Sequence, residues 1–195
     1  MTFFEDARKA VPSAARLYRF DAGGMSGFDL SFEGFIRSFL VLGPVAVVYI
    51  LLSQIEFDHI INLGMVEPPE PIAFFGWKMA GLIVDWFTFP LLMIPLSRWM
   101  GLSARYVPLI VALNWMSLIA ILLWAIPAFL YGLGLVGEAP AGLLSIGVFV
   151  YVVAVTGFII RTALLTPPAP AVGLTVLYLA IGIVIGEGID RLIGI

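Results

Sequence analysis

Cysteine is absent from this chain of 195 residues, histidine occurs once, and Asp, Glu, Lys and Arg together supply only 12% of positions. The first absence excludes disulfides, thiolate chemistry and Cys-ligated zinc or iron–sulfur centres. The scarcity of charge is as informative. A soluble domain is about one-quarter charged, so half of the expected charge is missing. No phosphate-binding loop, nucleophile elbow or zincin sequence occurs. No enzyme activity and no cofactor is therefore expected. The ten Lys and Arg residues form no stripe that would track a nucleic acid.

What fills the chain is apolar. Hydrophobic residues make up 62% of it, and the mean hydropathy is +1.09. The apolar residues fall into five long runs, approximately Phe35–Ile55, Ile72–Leu96, Tyr106–Leu130, Gly142–Ile160 and Val172–Ile189. Each is close to the roughly 20 residues that cross a hydrocarbon core about 30 Å thick. The predicted fold is all-α: a polytopic membrane bundle of five transmembrane helices occupying 34–195, preceded by an amphipathic N-terminal segment, 1–33. No cleavable leader is expected, because acidic Glu5 and Asp6 stand ahead of the first apolar run. A four-span variant would follow if the last run failed to cross, since Gly186, Glu187 and Gly188 weaken its end.

Charge asymmetry gives an orientation. With the N-terminus in the cytoplasm, the inner segments hold Arg8, Lys9, Arg16, Arg19, Arg37, Arg98, Arg105 and Arg161, and the outer side holds Lys78 and Arg191. That is the positive-inside bias, and with five spans it puts the C-terminus outside. The Ala-, Gly- and Val-rich composition suggests a bacterial inner membrane.

Residues 1–20 carry apolar side chains at helical spacing, from Phe3 and Phe4 through Ala7, Ala10, Ala14 and Tyr18. Basic residues occupy the other face. Such a helix suits the inner interface, with its charges toward anionic headgroups; packing on the protein's own bundle is the simpler use. Pro12 predicts a kink or a helix start. Glu67-Pro68-Pro69-Glu70-Pro71 and Thr166-Pro167-Pro168-Ala169-Pro170 read as stiff extended connectors.

Chemistry narrows to a few residues. Asp85 lies near the middle of the second run, where a charge costs at least about 2.5–3.5 kcal/mol. Asn114, in the third run, or another polar group nearby is its predicted partner, the second and third runs being read as antiparallel neighbours. Lys78 lies two turns before Asp85 on nearly the same face, too far for a direct pair. Asp85, Asn114 and Lys78 thus form a candidate intramembrane polar site. It is either a proton or polar-solute site or an interhelical hydrogen bond. Glu56 and His59, at i and i+3, are candidate metal ligands, but bundle metal sites use two such pairs. An interfacial polar helix end explains them more simply, so no metal is expected.

The tail Met1–Glu33 followed by five closely spaced spans from Phe35 to Ile189 resembles the Yip1-like membrane proteins in layout. That resemblance implies a role in membrane organisation or in binding partners during trafficking. The expected function is a non-enzymatic membrane scaffold or accessory protein. Its partners would be the lipid bilayer and other membrane proteins or itself, bound through its spans and inner tail. The alternative is a small transporter or channel component working through Asp85.

Overall fold

Uninterrupted runs of Leu, Ile, Val, Ala and Phe leave no solvent-facing stripe, and in apolar surroundings a helix is the local structure that satisfies its own backbone. The computed structural model describes residues 2–64 and 69–195. Among these residues all regular structure is helical, with no strand. The helices are α1 (Phe3–Tyr18), α2 (Phe32–Ser38), α3 (Leu42–Asn62), α4 (Pro71–Trp99), α5 (Tyr106–Gly132), α6 (Glu138–Leu164) and α7 (Pro168–Ile193). Short 3-10 turns at Ala22–Gly27, Phe39–Val41 and Ser103–Arg105 link some of them. Five segments are long and apolar enough to cross a membrane: Phe32–Asn62, Pro71–Trp99, Ser103–Gly132, Glu138–Leu164 and Pro168–Ile193.

These segments run past the apolar cores read from sequence. Glu70 caps α4 by accepting from the Ala73 amide at 2.9 Å, and Pro71 opens the helix. Of the two proline-rich stretches, Glu67 and Pro68 lie outside the described residues, and Pro71 is helical. Pro168, Ala169 and Pro170 are not extended either; they form the first turn of α7. Proline is tolerated there because the amide it lacks has no intrahelical acceptor in the first turn. At the far end α7 continues through Gly186–Gly188 to Ile193. Each glycine costs up to about 1 kcal/mol of helix propensity, but Arg191 donates to Glu187 one turn earlier at 3.2 Å.

The five long helices adjoin one another in the cyclic order α3, α4, α7, α6, α5. Although α4 and α5 are joined by a short turn, they touch little; α4 packs chiefly on α7, and α5 on α6 and α3. The antiparallel pairing expected from the short Ser97–Arg105 connection is thus a minor contact. Small residues set the α4–α7 approach: a Cβ built on Gly81 would lie 2.8 Å from Ile189 Cγ1. No side chain larger than hydrogen fits there without moving Ile189.

The helix α5 is the most enclosed of the five, with Leu109, Ile110, Val111 and Ala112 fully buried in succession. Burial all round a helix needs neighbours on every side, and α1 supplies one of them. Thr2 and Glu5 form a capping box at its start. Its apolar face, Ala10, Ala14 and Leu17, is wholly buried. Phe3 stacks on Trp115, with ring centroids 5.6 Å apart. Fifteen residues later, the Tyr18 hydroxyl donates to the Met116 carbonyl at 3.2 Å. Two ends of one helix meeting adjacent residues of another means that α1 lies across α5, not along it. The face that the sequence offered to lipid is therefore turned to the protein, and Arg8, Lys9, Arg16 and Arg19 point away. The helix runs unbroken through Pro12. Pro12 and Arg8 are both exposed, so the Arg8 carbonyl that Pro12 cannot pair is not stranded in the core.

A charged latch holds this arrangement. Arg37 donates to Asp6 at 3.3 Å and to Asp29 at 2.5 Å. Hydrogen bonds from the side chain and amide of Ser31, with the charge of Arg37 behind them, hold the Asp29 carboxyl below its ordinary range. Burial pushes the Tyr18 phenol well up, so it serves as a neutral donor.

Candidate functional site

The helices leave a cavity of about 420 Å³ between them. Val45, Tyr49 and Leu52 line it from α3, and Leu82, Asp85, Trp86, Phe89 and Pro90 from α4. The side of α5 from Ile110 to Ala128 forms a third wall, with Tyr178 of α7 and Ser145 of α6 completing it. Five of the lining residues are aromatic or phenolic: Tyr49, Trp86, Phe89, Trp124 and Tyr178. Among the described residues, Asp85 is the one member of the lining that carries a formal charge.

Asp85 and Asn114 share this cavity, but they do not pair. Asn114 donates to the Ser38 hydroxyl at 2.9 Å, and Ser38, fully buried, donates on to the Phe35 carbonyl at 2.7 Å. The amide thus ties α5 to the end of α2. Among the described residues, the Asp85 carboxylate has no hydrogen bond or ion pair to another protein group. Asp85 is half-buried, and its carboxylate is open to the cavity rather than spent on a neighbouring helix. Trp86, beside it, has a buried indole N–H with no acceptor.

Asp85 also borders a second cavity, of about 220 Å³, between α4 and α7. Tyr49 and Leu82 line both spaces. On the α7 side this second cavity is walled by Gly182, Ile185, Gly186 and Ile189. A Cβ on Gly182 would sit 3.6 Å from Asp85 Oδ1; the glycine leaves the carboxylate open on that side. Lys78 and Asp190 stand at the far end of the same space. Asp85 is therefore the hinge point between two spaces, one aromatic and one leading to charges.

Those charges form a closed cluster. The Lys78 ammonium donates to Glu56 at 2.6 Å and to Asp190 at 2.8 Å, and lies 5.4 Å from the centre of the Phe74 ring. The lysine side chain is only 8% exposed, whereas Glu56 and Asp190 are 41% and 37% exposed. One cation thus joins α3, α4 and α7 near one end of the bundle. Lys78 belongs to this cluster and not to Asp85, which is two turns away, about 10 Å along the axis. Sequence reasoning missed the cluster. Its signal was present: a lysine inside an apolar run needs a partner, and Glu56 and Asp190 stand near the matching ends of two other spans.

The candidate metal pair is divided. Glu56 turns to Lys78, and His59 Nδ1 lies 2.7 Å from the Tyr131 hydroxyl. Among the described residues, no three His, Asp or Glu side chains come together as a metal site would require.

No known protein family, curated protein or solved structure gives a significant match to this chain.

Proposed function

We propose that this protein is a small membrane transporter or channel component in which Asp85 receives the moving proton or solute. One observation carries the reading. A lone carboxylate within an apolar span has no protein partner among the described residues, yet it borders two cavities at once. A structural carboxylate would spend its oxygens on a neighbouring helix. Here the partner expected from the sequence, Asn114, donates its amide to Ser38 instead. Asp85 is thus left for whatever enters the aromatic chamber, and Tyr49 and Leu82 separate that chamber from the space below Lys78.

The test is proton flux into proteoliposomes loaded with a pH-sensitive dye. After an imposed pH step, the full chain should dissipate the gradient faster than protein-free vesicles. Asp85→Asn should return flux to the protein-free level while folding is kept, since the substitution breaks no protein hydrogen bond; its stability cost should stay below about 1 kcal/mol. Equal flux in wild type and variant would sink the proposal.

A scaffold or accessory protein is the second reading, and the resemblance to Yip1-like proteins favours it. The outward face of α1 supports it too, with Phe4 78% exposed among Arg8, Lys9 and Arg16. Stable copurification of another membrane protein, without flux, would favour this reading. We place the N-terminus in the cytoplasm and the C-terminus outside, in a bacterial inner membrane, on the Lys and Arg asymmetry alone. A single cysteine at Ser103 should then react with a membrane-impermeant maleimide only from the cytoplasmic side, and one at Pro69 only from outside. The opposite pattern would reverse the topology.

A further inference from the structure

We infer that the chamber bordering Asp85 binds a lipophilic organic cation, such as a substituted ammonium, with the carboxylate as its counter-ion and aromatic faces as its walls. This rests on the chamber being a working solute site and names the solute class. Four properties of the lining lead to it.

The first is charge. Among the described residues, Asp85 is the sole formally charged member of the wall, so an anion would meet one negative group and no cation. A neutral solute gains nothing from the carboxylate's charge, whereas a cation neutralises it. The nearest cation on the same helix, Lys78, is already held by Glu56 and Asp190.

The second is ligand number. A bare sodium, potassium or calcium ion needs a shell of about six or more oxygens to replace its water. Among the described lining residues, the side-chain oxygens other than those of Asp85, on Asn114, Ser117, Ser145, Tyr49 and Tyr178, are spread over four helices around a cavity of about 420 Å³, too wide for one ion to gather them. A substituted ammonium holds its water loosely and needs no such shell.

The third is the aromatic content. Tyr49, Trp86, Phe89 and Tyr178, from three helices, line the same chamber as Asp85. Phe89 and Tyr178 meet edge to face, with centroids 5.1 Å apart at 86°. Ring faces attract an alkylated cation, most strongly away from water. The fourth is size. A cavity of about 420 Å³ falls within the roughly 300–1,000 Å³ range of small-molecule sites, far larger than one ion needs.

Competition between the cation and protons follows. A lone carboxylate in an apolar wall is neutralised by a proton or by a bound cation, not by both. The groups facing Asp85 are Tyr49 from α3 and Tyr178 from α7, with Asn114 across the cavity on α5 and Lys78 and Asp190 at the end of the second cavity. The phenols and the amide bring no formal charge, and the lysine is neutralised in its cluster, so a proton on Asp85 has to leave before the cation is held.

The experiment is equilibrium binding of radiolabelled benzyltrimethylammonium to the purified full chain in detergent. Neopentylbenzene, the uncharged molecule of the same shape, serves as competitor. Saturable binding is expected, lost by tenfold or more in Asp85→Asn and weakened about tenfold in Trp86→Leu and Tyr178→Leu. Asp85→Glu should retain most of it. Affinity should fall as the medium is acidified, because the proton takes the carboxylate. Should Asp85→Asn fail to give a monodisperse protein, the two aromatic variants and the pH series carry the test. Binding unchanged by Asp85→Asn, or displaced equally well by neopentylbenzene, would overturn the inference. Proton flux that depends on Asp85, with no binding of the ammonium, would also overturn it while leaving the transport reading in place. Binding without flux would do the reverse.

Discussion

Trp115→Ala is expected to destabilise the protein by about 3 kcal/mol and to loosen α1 from the bundle. The indole is 1% exposed and carries Phe3 on its face. In soluble proteins a buried Trp→Ala change costs about 3–5 kcal/mol, divided between lost transfer energy and the cavity left behind. In the membrane setting we propose, the transfer share shrinks, because lipid is as apolar as the core. The lost dispersion contacts remain, which places the expectation at the lower end. Phe3→Ala should cost less, since Phe3 is only half-buried. The double variant should fall short of the sum of the two, as contacting residues do. Thermal unfolding in detergent gives the order, and limited trypsin cleavage at Arg8 and Lys9 reports release of α1. A Trp115→Ala protein with unchanged melting and unchanged cleavage would show that the Phe3–Trp115 contact does not hold α1 in place.

Lys78→Met is the second large effect. It removes the cation that joins α3, α4 and α7 and leaves Glu56 and Asp190 facing each other across its place. Breaking a buried ion pair by removing one partner costs about 3–5 kcal/mol when the remaining charge is also buried. Here the two carboxylates are more than a third exposed, so water screens what is left. The expected loss is about 1–3 kcal/mol. Adding Glu56→Gln and Asp190→Asn to Lys78→Met should restore most of it, because no uncompensated charge then remains. Asp190→Asn alone should be mild, since Lys78 keeps Glu56 at 2.6 Å. A Lys78→Met protein that melts like wild type, or a neutral triple variant no better than the single one, would contradict this account.

Parts of the site were legible in the sequence and parts were not, for physical reasons that differ by residue. Asp85 stood out because an isolated carboxylate in a long apolar run has few bland explanations. Its assignment to Asn114 failed because residue depth and loop length do not say which way a helix is turned. Asn114 faces Ser38, a hydroxyl too ordinary in sequence to attract notice. Lys78 was read along its own helix, where only Asp85 was near. Its partners lie 22 and 112 residues away in the chain, and local spacing carries no information about such contacts. The Glu56–His59 pair shows the same limit in reverse: adjacent on a helix, the two side chains serve different neighbours, Lys78 and Tyr131.

The sequence by itself determined the all-helical class, the number of long apolar segments and their approximate limits, because run length and charge depletion are local properties that a bilayer's thickness turns into structure. It also determined which face of α1 is apolar. Only the tertiary structure decided what that face meets, because an amphipathic pattern is satisfied equally by lipid and by protein; the cross-helix position of Phe3 and Tyr18 on Trp115 and Met116 turns it inward. The cyclic order of the helices was likewise a tertiary outcome. Between apolar helices no hydrophobic force selects neighbours, so fit does, as at Gly81 against Ile189, together with the few buried polar contacts, as at Lys78. That order gathers aromatic side chains from four helices into the cavity that Asp85 borders.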